Sequence, residues 1–147
     1  MPERIKFNDE ITVGAQPSAA EIKAMASDGF RGIMNLRTYG EDMQEISPDQ
    51  EEDIAREAGM EYVHIPVSMK KAGPKLVDRF REEFRSMPKP VFVHCKLGKR
   101  AGAFVMMHTA AEQGMSGEDA LKKAEEMGFE CDQEEMKEFV KTYLSKN

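Results

Sequence analysis

The sequence has 147 residues, a formal net charge of −6 and 40% hydrophobic residues, which is enough apolar material for the core of one domain. The negative charge argues against a general nucleic-acid-binding protein, and no apolar stretch approaches the length that crosses a membrane. Two cysteines and the absence of an apolar N-terminal signal favour a reducing compartment over a disulfide framework. We therefore expect one cytoplasmic domain over residues 1–147, with no nucleic-acid or membrane partner.

Strand and helix patterns alternate along the chain. Ser18 with Glu21 three residues later is typical of a helix N-cap, and Ser47-Pro48 is a second helix start. This alternation predicts an α/β fold with a mainly parallel sheet of four to five strands flanked by helices. The predicted elements are an edge hairpin at 5–16, strands at 30–36, 62–67 and 91–93, and helices at 18–29, 49–58, 74–87, 101–111, 116–127 and 132–144.

One stretch combines a buried strand, a cysteine, a short loop and a helix. Val91-Phe-Val-His precedes Cys95, Gly98 permits an unusual backbone conformation, and the alanine-rich helix follows directly. Amides of such a loop and the helix N-terminus form an anion site, to which Arg100 adds a planar fork of donors. The helix dipole and neighbouring cations favour the thiolate of Cys95. The pattern indicates a nucleophile beside a bound anion.

These residues carry a family resemblance. The run His94-Cys-Lys-Leu-Gly-Lys-Arg-Ala-Gly102 resembles the signature of the cysteine-based protein tyrosine and dual-specificity phosphatases. Upstream, the segments at 14–18, 32–37 and 61–67 are similar in order and spacing to the bacterial beta-lactamase-hydrolase-like, phosphatase-like family. The resemblance covers roughly residues 11–114. It implies a tyrosine-phosphatase-like fold and a hydrolase of phosphate monoesters that forms a phosphocysteine intermediate.

The resemblance also implies roles for individual residues. Cys95 would be the nucleophile, Arg100 the phosphate-binding group, and His94 a residue that orients the loop and tunes the thiolate. Arg37, at the carboxyl end of a predicted strand, either meets the anion or positions its own loop. The substrate would be a phosphoprotein or a small phosphoester. No cofactor is expected, and no metal site, because the other histidines lack neighbours at ligand spacing. The remaining substrate-binding candidates are Lys96, Leu97, Gly98 and Lys99.

Three features depart from the phosphatase pattern. Four residues separate Cys95 from Arg100, one fewer than is usual in phosphatases, and this spacing is shared with rhodanese-type sulfurtransferases. Ala101 stands where phosphatases commonly carry serine or threonine. The loop at 68–73 holds no carboxylate, so the candidates for a general acid lie on other loops: Glu41, Asp42, Glu45 and Asp49, with Asp42 and Glu45 favoured. A sulfurtransferase that uses a Cys95 persulfide, and a non-catalytic module for phosphorylated ligands, are therefore the alternatives.

The second cysteine, Cys131, carries less chemical signal. Nothing in the sequence brings it near the cysteine loop, so we expect a structural role, with a resolving-cysteine role as the alternative.

Overall fold

A mainly parallel sheet organises the part of the chain that the computed structural model describes, residues 4–41, 44–68, 70–127 and 134–145. Within these residues the sheet has five strands in the order β1-β2-β5-β3-β4, and β1 alone runs antiparallel to its neighbour. The predicted α/β architecture is therefore confirmed. The strands are β1 (Arg4–Lys6), β2 (Ile11–Gly14), β3 (Gly32–Asn35), β4 (Glu61–His64) and β5 (Val91–His94).

Six helices flank the sheet in the described residues. Ser18 and Ser47 each cap a helix through a capping box, in which the side chain at the third helical position bonds back to the cap backbone. The cysteine-loop helix begins two residues earlier than its alanine-rich sequence predicts, at Lys99. The helices are α1 (Ala19–Ser27), α2 (Pro48–Glu57), α3 (Pro74–Ser86), α4 (Lys99–Gln113), α5 (Gly117–Met127) and α6 (Glu134–Ser145).

Strands β3 and β4 are shorter than predicted. Leu36 N–H still donates to His94 O at 2.8 Å, and Ile65 N–H donates to Asn35 O at 2.9 Å. The chain then leaves the sheet, so the residues predicted as the ends of these strands belong to loops. This correction lengthens the loops beside the cysteine.

Apolar side chains cover both faces of the sheet, as a parallel sheet requires. Alternate strand residues point to opposite faces, so Ile33 and Phe92 pack with α1 and α2, whereas Met34 and Val93 pack with α3 to α6. Helix α4 is buried along most of its length. Its N-terminus is thereby fixed at the end of β5.

The carboxyl ends of the four parallel strands lie at one edge of the sheet. Gly14, His94, Asn35 and His64 are register partners across it. The loops that follow these residues therefore meet around the cysteine loop, as expected for a site at the carboxyl ends of parallel strands. Among the described residues, no helix is both long and apolar enough to cross a membrane.

Candidate active site

The cysteine loop, Cys95 to Gly98, joins β5 to α4 and encloses the thiol. Cys95 is buried, with 1% of its surface exposed. The N–H of Gly98 donates to Cys95 Sγ at 3.1 Å, and the N–H of Ala101 approaches it at 3.5 Å. Gly98 has φ of 98°, a left-handed conformation that glycine adopts without strain, which turns the loop into α4. Backbone donors and the start of a helix thus surround the sulfur, an arrangement that stabilises negative charge.

Arg100 spans the space between this thiol and a neighbouring loop. Its Nη1 and Nη2 donate to the two carboxylate oxygens of Glu41 at 2.6 and 2.9 Å, and Nη1 also donates to Val67 O at 2.9 Å. Hydrogen bonding to Glu41 raises the pKa of Arg100 against the effect of burial, and the charge of Cys95 adds to the rise. The guanidinium is therefore held by three acceptors while it faces the sulfur.

Glu41 is the carboxylate that holds Arg100 in place. It also accepts from Arg37 Nε at 3.0 Å, from Thr38 N–H at 2.7 Å and from Thr38 Oγ1 at 2.9 Å. Burial raises the pKa of Glu41, but the hydrogen bonds from Arg100, Thr38 and Arg37 outweigh burial and hold it well below its usual range. Glu41 is thus ionised at neutral pH and is not a proton donor. We call Glu41 with its bonds to the two arginines the Glu41 clamp.

Arg37 is buried just after the end of β3. Its side chain has no exposed surface, and Nη1 donates to Gln16 Oε1 at 2.9 Å while Nε binds Glu41. A buried side chain with these partners is poorly placed to contact a substrate. Of the two roles expected for Arg37, its burial supports the positioning of the Glu41 loop.

His94 is fully buried and contacts a carboxylate that the sequence analysis did not single out. Its Nε2 lies 2.5 Å from Glu51 Oε2, and its Nδ1 lies 3.2 Å from Cys95 O. Gln16 Nε2 donates to the other oxygen of Glu51 at 2.7 Å. Burial raises the pKa of Glu51, but the charge and hydrogen bond of His94 lead the effects that bring it below the ordinary value.

Glu51 was not predicted as a site residue because it lies in a helix rich in acidic residues. Its helical neighbours Pro48 and Ala55 are also buried, because residues three and four apart share one face of a helix. A lone carboxylate on this apolar face was the available signal in the sequence.

The general-acid candidates are spread over the loop that follows β3. Glu45 is exposed, and Asp42 lies outside the described residues, as does Cys131. Asp49 Oδ1 lies 3.3 Å from the hydroxyl of Tyr39, whose ring packs edge-on against His64. No proton donor beside Cys95 emerges from the described residues.

The rim of the cysteine loop carries an apolar side chain and cations. Leu97 is 62% exposed, and Tyr39 on the adjacent loop is 60% exposed. Lys96 and Lys99 are half-buried, and Gly98 is buried. No cluster of three or more histidine, cysteine or acidic side chains suited to a metal ion is found in the described ranges.

Comparison with known proteins finds relatives among phosphatase-like domains. A family model, "Beta-lactamase hydrolase-like protein, phosphatase-like domain", matches residues 5–112. The beta-lactamase hydrolase-like protein of Agrobacterium fabrum is 30% identical over 130 residues, which cover 86% of this chain and 29% of that protein. The chain thus spans less than a third of the length of that curated relative.

Solved structures share the fold at lower identity. Tk-PTP in its active form is 21% identical with a TM-score of 0.80, and the match covers 99% of each chain. TpbA of P. aeruginosa, solved in complex with pTyr, is 17% identical with a TM-score of 0.74, over 94% of this chain and 82% of that one. Since the family model matches most of the chain, from within β1 to the last turn of α4, the chain belongs to the phosphatase-like domain family of the beta-lactamase hydrolase-like proteins.

Proposed function

We propose that the protein is a cysteine-dependent phosphatase that hydrolyses phosphate monoesters. The observation that carries this proposal is the position of Arg100, fixed by Glu41 and Val67 O while its guanidinium faces the Cys95 thiol. The bonds to Glu41 and Val67 O take both hydrogens of Nη1 and one hydrogen of Nη2, so Nε and the second hydrogen of Nη2 form the fork for phosphate oxygens, and the loop amides supply additional donors. Family membership and the pTyr bound to TpbA support a phosphorylated substrate.

In the proposed reaction the Cys95 thiolate attacks phosphorus. An S–P bond forms, the ester P–O bond breaks, and the alcohol leaves with the bonding electron pair and takes up a proton. Water then attacks the phosphocysteine, which releases inorganic phosphate and returns the thiolate. Arg100 and the loop amides hold the phosphoryl oxygens in both steps, and His94 orients the loop.

The proposed substrates are aryl phosphates more than alkyl phosphates. The loop after Val67 contains no carboxylate in its sequence, and Glu41 is fixed as an anion. A reaction without a strong general acid at this position favours leaving groups of low basicity, such as phenols. The exposed side chains of Tyr39 and Leu97, on loops at the same sheet edge, are suited to contact an aromatic ring.

A sulfurtransferase is the second candidate, favoured by the four-residue spacing and by the missing carboxylate. Cys95 would take the outer sulfur of thiosulfate as a persulfide with release of sulfite, and then pass that sulfur to cyanide. No general acid is needed for these steps.

The experiment that tests the proposal is a paired assay on the protein and its Cys95→Ser and Arg100→Ala variants. Phosphate release from an aryl phosphate is measured beside sulfur transfer from thiosulfate to cyanide. We expect phosphate release that both substitutions abolish. Sulfur transfer without phosphate release would support the second candidate, and activity in neither assay would favour a module that only binds phosphorylated ligands.

A further inference from the structure

An unbroken run of hydrogen-bonded polar side chains lies beneath the loops and joins the two ends of the cysteine loop. It starts at His94, which precedes the nucleophile candidate, and ends at Arg100. Each contact is 3.0 Å or shorter. In order, the pairs are His94–Glu51 at 2.5 Å, Glu51–Gln16 at 2.7 Å, Gln16–Arg37 at 2.9 Å, Arg37–Glu41 at 3.0 Å and Glu41–Arg100 at 2.6 Å. We call this run the buried relay.

Both ring nitrogens of His94 face oxygen acceptors. Nε2 faces a carboxylate oxygen of Glu51, and Nδ1 faces the carbonyl oxygen of Cys95. Both partners are acceptors, and only an imidazole that carries both ring protons can donate to both of them. The side chains of His94 and Glu51 have no exposed surface, and a buried charge is stable only when it is paired. Glu51 is the counter-charge that such an imidazolium would need, one residue from Cys95.

Gln16 connects this pair to the Glu41 clamp. Its amide nitrogen donates to Glu51 Oε1 at 2.7 Å and to Pro17 O at 3.0 Å, while its oxygen accepts from Arg37 Nη1. An amide is suited to this place because it offers a donor to the anion and an acceptor to the cation. The same residue also joins the cysteine loop through its backbone, since Gln16 N–H donates to Lys96 O at 3.1 Å.

We propose that Glu51 is a positioning residue that sustains the Cys95 thiolate through His94, and that Gln16 couples this pair to the clamp that holds Arg100. The role of Gln16 rests on the proposed function, whereas the role of Glu51 concerns only the ionisation of the Cys95 thiol. The segments at 14–18 and 32–37, which resemble the family, have no role in the reaction scheme. The buried relay gives them one, because they contain Gln16 and Arg37.

Other ionisable groups near His94 do not replace Glu51. The Tyr62 hydroxyl of β4 accepts from Asn35 Nδ2 at 2.9 Å and bonds to Glu51, and burial followed by the charge of Glu51 raises the pKa of Tyr62, so it stays neutral. Arg4 of β1 lies over the ring of Phe92, which stacks on His94 at 5.9 Å. Arg100 of α4 interacts with Cys95: besides Glu41, the charge and hydrogen bond of Cys95 raise the pKa of the guanidinium. Loss of Glu51 would leave His94 among cations and a neutral phenol.

The first test is a titration of thiolate ultraviolet absorbance against pH in Glu51→Gln, with the Cys95→Ser variant as the baseline that removes the signal of Cys131. We expect the midpoint to rise by about one pH unit, because the imidazolium loses its counter-charge and ceases to stabilise the thiolate. Glu52→Gln is the matched control: Glu52 is the next residue of α2, is partly exposed and pairs with Arg56. This variant should leave the midpoint unchanged. In a His94→Gln background, Glu51→Gln should cause no further shift.

An unchanged midpoint in folded Glu51→Gln, or a full shift that persists in the His94→Gln background, would overturn the role of Glu51. Should circular dichroism show that Glu51→Gln does not fold, Tyr62→Phe takes its place, since it removes one hydroxyl, which bonds to Glu51 and accepts from Asn35 Nδ2. A smaller rise of the midpoint is then expected, and no rise would overturn the inference. The titration needs no turnover, so its result is independent of whether the protein is a phosphatase.

The second test concerns Gln16. We expect Gln16→Met to raise KM for an aryl phosphate several-fold while the thiolate midpoint stays in place, because Glu51 loses the bond from Gln16 but keeps its pairing with His94. An unchanged KM in a variant that folds would overturn the coupling. Absence of phosphate release by the unmodified protein would refute the proposed function, while the titration would still decide the role of Glu51.

Discussion

The Glu41 clamp gives a stability prediction that can be worked from contacts. Glu41→Gln keeps the shape of the side chain but replaces one accepting oxygen by an amide group that cannot accept from an arginine. The side chain of Arg37 has no exposed surface and that of Arg100 is 18% exposed. Both guanidinium groups would then lose the anion that they share.

The expected cost is about 3 kcal/mol, the lower end of the range for breaking a buried ion pair, because Glu41 and Arg100 retain some solvent contact. In a domain of this size that corresponds to a fall in Tm of roughly 6–12 °C. We also expect KM for an aryl phosphate to rise about tenfold, since Arg100 is no longer fixed before the phosphate binds.

The assay is thermal unfolding followed by circular dichroism, together with steady-state kinetics. Glu57→Gln is the control, because it removes the same charge from an exposed position on α2. A fall in Tm no larger than that of the control, with an unchanged KM, would refute the reasoning about the clamp.

Three other substitutions test the arginine fork, the α5–α6 contact and a buried histidine. Arg100→Lys keeps the charge but loses the planar fork, so kcat/KM should fall roughly 100-fold; kinetics equal to those of the unmodified protein would argue against a two-point grip. Gly117→Ala places a Cβ 2.7 Å from Lys141 Cα, and we expect Tm to fall by about 2–8 °C; no fall in a melting experiment would contradict this packing. Burial, followed by the charge of Arg81, lowers the pKa of His108 to about 4, so the unfolded chain binds a proton below about pH 6.5 that the native state does not. The free energy of unfolding should therefore fall by up to about 2 kcal/mol from pH 7 to pH 5, and His108→Gln should remove this loss. Urea unfolding at several pH values measures it, and an equal change of the unfolding free energy with pH in both proteins would refute this prediction.

Local sequence signals predicted the strands, the helices and the turn after Cys95 well. Ser18 with Glu21 specified a helix start because the capping bonds form between residues close in the chain. The apolar run that leads to Cys95 predicted a buried strand, and Gly98 predicted the turn into α4, where it has a left-handed conformation. These features depend on neighbours within a few residues.

The side chains that hold Arg100 and His94 in place are far apart in the sequence, so local sequence signals did not predict their contacts. An arginine at the end of a strand is a plausible anion-binding residue from sequence alone. The partners of Arg37, Gln16 and Glu41, come together only when the sheet aligns β2 with β5 and β5 with β3. Glu51 lies 43 positions from His94 in the chain. A carboxylate in an acidic helix is ordinarily solvated, so its burial becomes evident only from the packing of α2 on the sheet.

The most direct test of the central claim is to trap the phosphoryl group on Cys95. The protein is mixed with an aryl phosphate, stopped by a denaturing quench during turnover, and analysed by peptide mass spectrometry. We predict a gain of one phosphoryl group on the peptide that contains Cys95, absent from Cys95→Ser. Turnover of the phosphate ester without this adduct, and undiminished in Cys95→Ser, would contradict the account.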